Sequence, residues 1–115
     1  MTDQELIKAA AKAAGIEIKY QPGSRRFLYE KDLPILEGKC LAYWDPLADD
    51  GDALRLAVKL GMRDYFYVEV QKTCVQTSFL DPHEEVFYEA FKDQDPYAAT
   101  RRAIVKAAAE LGRLL

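Results

Sequence analysis

The sequence predicts an α+β fold: a three-layer α/β/α sandwich with a mainly antiparallel sheet, a three-stranded meander and three helices. Three observations carry that prediction. Alanine-rich stretches with helix-start signals stand near both ends of the chain, after Thr2 and after Asp95. A third helix start lies at Asp49 and Asp50, ahead of an apolar run that reaches Gly61. Between the second and third helices, from Arg63 to Phe91, short β-rich runs alternate with turn residues, and elements of these kinds pack as layers. The 115 residues suit one domain over residues 1–115, which would bury roughly two-thirds of the surface of the unfolded chain.

The first helix is predicted from Asp3 to Ala14. Thr2 and Glu5 have the spacing of a capping box, in which each side chain satisfies a free backbone donor, and Gly15 supplies the left-handed residue that stops a helix. Ile16-Glu-Ile-Lys-Tyr20 alternates apolar and polar residues, as a half-buried strand does. Pro22-Gly23-Ser24 reads as a turn, and Phe27-Leu-Tyr-Glu30 as the returning strand of a hairpin. Lys31 to Cys40 contains Pro34 and Gly38 and is expected to be irregular. Leu41-Ala-Tyr-Trp44 is a short strand or a buried loop.

The second helix is predicted from Asp50 to Leu60, capped by Asp49 or Asp50 and closed by Gly61. The meander follows as Tyr65–Val70, Cys74–Leu80 and Val86–Phe91, with turns at Gln71–Thr73 and Asp81–Glu84. Its first and third strands carry apolar or aromatic residues on both alternating sets, which implies a sheet covered on both faces. Asp95 caps the last helix with Pro96 at its first position, and the helix runs to about Leu114. The two alanine-rich terminal helices are expected on one face of the sheet and the second helix on the other.

The formal charge of −3 removes the main driving force for non-specific nucleic-acid binding. The pairs Arg25-Arg26 and Arg101-Arg102 read as solvated faces. No apolar run reaches the length of a membrane span, and the start of the sequence lacks the basic and apolar regions of a signal peptide. With two cysteines and no CxxC pattern, a cytoplasmic protein with reduced thiols is expected, with no nucleic acid or membrane among its partners and no cofactor.

The run Trp44-Asp-Pro-Leu-Ala-Asp-Asp-Gly-Asp-Ala-Leu-Arg-Leu-Ala-Val-Lys-Leu-Gly61 and the run Asp95-Pro-Tyr-Ala-Ala-Thr-Arg-Arg-Ala-Ile-Val-Lys-Ala-Ala-Ala-Glu-Leu-Gly112 resemble, in order and spacing, the phage ABA sandwich domain family, small proteins of tailed phages and prophages. Together they cover roughly a third of the chain. The resemblance implies an α-β-α layered fold and a phage or prophage origin, hence the cytoplasm of a bacterial host. It implies no activity, substrate or catalytic residue. The N-terminal half and the stretch from Arg63 to Gln94 carry little of it.

Asp45, Asp49, Asp50 and Asp52 are the leading site residues. Clustered carboxylates attract Mg²⁺ or Ca²⁺, but their spacing is not that of an EF-hand loop. Helix capping and complementation of the helix dipole explain the same residues without a metal, and that reading is preferred. His83, in Asp81-Pro-His-Glu-Glu85, is the sole histidine. It reads as part of a polar turn rather than as a base or ligand. Cys40 and Cys74 lack a neighbouring base and read as packing thiols. Seven tyrosines are sheet residues by default, and a cluster of exposed ones would make a binding face. No Walker loop, nucleophile elbow or HExxH pattern is present.

These residues lead to a non-catalytic accessory protein that binds an unidentified host or phage protein through Tyr43, Trp44, Asp49, Asp50 and a strand edge. One alternative is a small metal-dependent enzyme or nucleotide-binding protein built on the Asp45–Asp52 loop. Another is a structural homo-oligomer, such as a homodimer, joined by an open strand edge.

Overall fold

Thr2 is extended and its hydroxyl accepts the Glu5 N–H at 3.2 Å, which opens α1 (Asp3–Ala14). Gly15 closes the helix at φ 70°, and its N–H returns to the last turn. In this computed structural model, which describes residues 1–33, 38–91 and 95–115, seven further segments follow before the last helix. The first sheet comprises β1 (Lys19–Gln21), β2 (Arg26–Leu33) and β3 (Gly38–Tyr43), antiparallel in that order. α2 (Asp50–Asp64) precedes a second antiparallel sheet of β4 (Tyr67–Val70), β5 (Cys74–Phe79) and β6 (Glu85–Ala90). α3 (Pro96–Leu114) ends the fold, with the Asp95 carboxylate accepting the N–H groups of Tyr97 and Ala98 at 3.1 and 3.0 Å. The chain is an α+β sandwich of three helices and two three-stranded antiparallel sheets.

Several boundaries move from their expected places. The first strand starts at Lys19 rather than Ile16, because residues 16–18 leave the side of β2 before pairing begins. Lys31–Leu33 and Gly38–Cys40 are strand, paired from Lys31↔Cys40 to Leu33↔Gly38, where irregular structure is expected. Ladder pairing overrides the turn signals there, while Pro34 lies outside the described residues. α2 runs through Gly61 to Asp64 and stops at Tyr65, which is left-handed at φ 54°. A glycine inside a helix costs about 1 kcal/mol against alanine. Here it makes room for the returning chain, since a β-carbon on Gly61 would lie 3.0 Å from the Phe66 carbonyl oxygen. Tyr65 and Phe66 are thereby spent on the helix end, so β4 begins at Tyr67.

The terminal helices pack on each other, and α3 also covers β5 and β6. Val75 packs with Ala99 and Ala103, the Thr77 hydroxyl donates to the Ala103 carbonyl at 3.5 Å, and Lys106 pairs with the buried Glu89 at 2.9 Å. α2 touches α3, α1 and β4, so it does not occupy a sheet face of its own, as the sequence leads one to expect. Its apolar stripe, with Ala53, Leu56 and Leu60, merges with Leu6, Trp44, Phe66, Phe79 and Leu111 in one core.

Among the described residues, one face of the meander is covered and the other is largely open, with Ser78 buried between its larger neighbours. Strand alternation puts Val75, Thr77, Phe79, Phe87 and Glu89 toward α3 and the core. The opposite set includes Tyr67, Val86 and Tyr88, which are 51%, 40% and 66% exposed. Apolar residues on both alternating sets therefore do not mean two-sided cover here. Tyrosine can leave a ring face in water because its hydroxyl is hydrated, and much of any protein surface is apolar.

Candidate functional site

The loop before α2 is held by its own aspartates. The Asp45 carbonyl accepts the N–H groups of Ala48 and Asp49 at 3.1 and 2.8 Å, which turns the chain. Asp49 then caps α2: its Oδ2 accepts the Asp52 N–H at 2.8 Å. Asp52 reaches back, its Oδ2 accepting the Asp45 N–H at 3.0 Å, while its Oδ1 accepts from the Arg55 guanidinium at 2.7 Å. Arg55 also lies 3.7 Å from Asp49. The hydrogen bond it donates to Asp52 raises the Arg55 pKa above its already high ordinary value.

Asp50 points elsewhere and pairs with Arg101 of α3 at 2.6 Å. Arg101 also donates from Nε to the Leu47 carbonyl at 2.9 Å. Its side chain is mostly buried, so Arg101 is a clamp on the loop and not part of a solvated face. Arg102 likewise reaches Asp3 at 3.3 Å and the buried Glu89 at 3.9 Å. Sequence reasoning missed this clamp because the partners are about fifty residues apart and only the fold brings them together.

Asp49, Asp50 and Asp52 thus serve backbone N–H and guanidinium partners, with Arg55 shared by Asp49 and Asp52, while Asp45 enters through its backbone. Among the described residues, no three His, Cys, Asp or Glu side chains gather in a group that could hold a metal ion. Asp49 and Asp52 carry the capping contacts of the loop.

Of the proposed contact residues, Trp44 is buried at 3% exposure and belongs to the core. It cannot be a surface contact: its N–H bonds the Phe27 carbonyl at 2.9 Å, which extends the first sheet by one step. Tyr43, its neighbour, faces the opposite way, half exposed, with the Arg26 guanidinium 3.8 Å above its ring. Tyr43 and Trp44 therefore do not share a surface. Asp49 and Asp50 are exposed but engaged as described.

His83 Nε2 lies 3.0 Å from Glu85 in an exposed turn. Both cysteines are free thiols, Cys40 exposed and Cys74 half-buried. The tyrosines are the residues whose placement departs most from the default reading, because Tyr43, Tyr65, Tyr67, Tyr88 and Tyr97 are all exposed.

No family model, curated protein or solved structure matches the chain. No helix among the described residues is long and apolar enough to cross a membrane.

Proposed function

We propose that the protein is a non-catalytic binding module, a phage or prophage accessory protein that acts on a host or phage protein in the bacterial cytoplasm. The observation that carries the binding role is the uncovered face of the meander. Tyr67 and Val86 flank Ser78 in one register row, and Tyr88 sits beside Gln76 in the next. Aromatic side chains on a flat, pre-formed sheet give contact area at low entropic cost. Glu69 is the sole charged strand residue of that face, which favours a protein partner over a nucleic-acid backbone. The phage setting is supported by the resemblance of the Trp44–Gly61 and Asp95–Gly112 runs.

The test is capture from a lysate of phage-carrying bacteria, followed by mass spectrometry, with the wild type and a Tyr67→Ser/Tyr88→Ser variant that melts normally. A protein retained by the wild type and lost by the variant supports the proposal. Equal capture by both, or no specific protein with either, sinks it.

A second reading is a homodimer joined along β3. Among the described residues that strand pairs only with β2, and five of its six residues are exposed, which makes it an open edge. Light scattering distinguishes the two, since a dimer that survives the double tyrosine substitution favours the edge.

A further inference from the structure

β1 pairs with β2 only from Lys19↔Leu28 to Gln21↔Arg26. On the α1 side of Lys19 the chain parts from β2, and Tyr29, Glu30 and Lys31 keep a partner on the β3 side only. The space between is a cleft of about 1110 Å³, walled on its third side by Arg55, Leu56 and Lys59 of α2.

The floor of the cleft is apolar. Ile16, Ile18 and Leu28, each half-buried, form its accessible surface, and the buried Trp44 and Leu56 of the core lie directly beneath them. Its rim is basic: Lys19, Lys31, Lys39, Arg55 and Lys59 stand against Glu17 and Glu30. Lys39 has Glu30 at 3.8 Å and Arg55 has Asp52 at 2.7 Å. Among the described residues, Lys19, Lys31 and Lys59 have no carboxylate within ion-pair distance. A chain of net charge −3 does not gather cations around this cleft through composition alone. Cations over an apolar floor match a ligand with the same two parts.

We infer that this cleft binds a small amphipathic organic anion, a carboxylate carrying an aliphatic chain, with the head at the lysine rim and the chain along the apolar floor. The cleft lies on the first sheet and α2, away from the meander face, so the inference does not depend on the proposed protein partner.

Trp44 is the sole tryptophan and lines the cleft, so its fluorescence reports occupancy directly. Hexanoate, octanoate and decanoate are titrated into the full chain, beside decyltrimethylammonium and inorganic phosphate. A saturable change that tightens by about two- to fourfold per added methylene is expected from burial of the chain. A Lys31→Glu/Lys59→Glu variant should weaken decanoate at least tenfold, and Tyr67→Ser/Tyr88→Ser should leave it unchanged. Single Lys31→Gln and Lys59→Gln variants keep the test should the double reversal impair folding, with a smaller weakening in the same direction. Absence of a saturable change, equal affinity for decyltrimethylammonium, equal affinity for phosphate, or indifference to the lysine substitutions would each overturn the inference.

Discussion

Asp52 holds the backbone of Asp45, seven residues before it, by accepting its N–H at 3.0 Å. The same carboxylate is buried and takes the Arg55 guanidinium on its other oxygen. Removing it leaves a part-buried N–H and a guanidinium without their acceptor. Asp52→Ala should therefore cost about 2–4 kcal/mol. Asp52→Asn, which keeps an acceptor for Asp45 but loses the charge, should cost about 1–2 kcal/mol. Urea unfolding measures both, and a neutral result for Asp52→Ala would refute the structural role given to the loop.

The same geometry bears on metal. With Asp49 on the Asp52 N–H, Asp50 on Arg101 and Asp52 on Arg55 and Asp45, no oxygen set converges on one point. Millimolar Mg²⁺ or Ca²⁺ should leave the melting temperature within about 1 °C, because only a ligand present near or above its Kd shifts stability. A larger rise that Asp49→Asn abolishes would restore the loop as a cation site.

Trp44 tests whether the resembling segments mark a surface or a scaffold. At 3% exposure, within the core cluster, Trp44→Ala should destabilise the fold by about 3–5 kcal/mol. Circular dichroism through a urea titration reads this. An unchanged midpoint with lost partner capture would instead mark a contact residue. Trp44 and Asp52 lie in one resembling run and Arg101 in the other, and Arg101 joins the two through Asp50 and Leu47. The two runs thus meet as a capped loop tied to α3.

How much of this the sequence discloses follows from the range of the forces involved. Caps act over three or four residues, so Thr2, Gly15, Asp49 and Asp95 are readable and stand where expected. The meander is readable from alternation and turns. What is not readable needs partners distant along the chain. The Lys31↔Cys40 pairing, Arg101 on the loop and the single-sided cover of the meander all depend on what the third dimension brings near. The cleft is the same kind of feature, because Lys31 and Lys59 share a rim only after β2 and α2 meet.

Tyr29 gives the fold a dependence on alkaline pH. Burial, and next the nearby Asp52 charge, raise its phenol above the ordinary value of 10.0, with Arg55 opposing. The folded state then keeps this proton where the unfolded chain loses it. The contribution is complete below pH 10 and declines as pH rises through 10 toward the higher folded value. Tyr29→Phe should flatten the fall in stability above pH 10 and remove the last phenolate step from an ultraviolet titration. If all seven phenols of the wild type ionise together, the burial argument fails.

Gly112 is a point of close backbone approach between the terminal helices. A β-carbon there would overlap the Ala9 carbonyl oxygen and lie 2.9 Å from its carbonyl carbon. Two effects oppose one another in Gly112→Ala. Helix propensity favours alanine by about 1 kcal/mol. Overpacking against a neighbour costs about 1–3 kcal/mol, and backbone atoms cannot turn aside as a side chain can. Gly112 is fully within the buried helix contact, and Ala9 sits in the middle of α1, so neither helix can yield alone. The clash should win, with a net loss of about 1–2 kcal/mol. Gly23→Ala is the matched control, because a β-carbon there meets nothing within 4 Å, and its effect should stay within about 0.5 kcal/mol. Thermal unfolding of the two variants beside the wild type decides the matter. If Gly112→Ala melts at or above the wild type while Gly23→Ala is neutral, α1 and α3 are not packed backbone to backbone at this position.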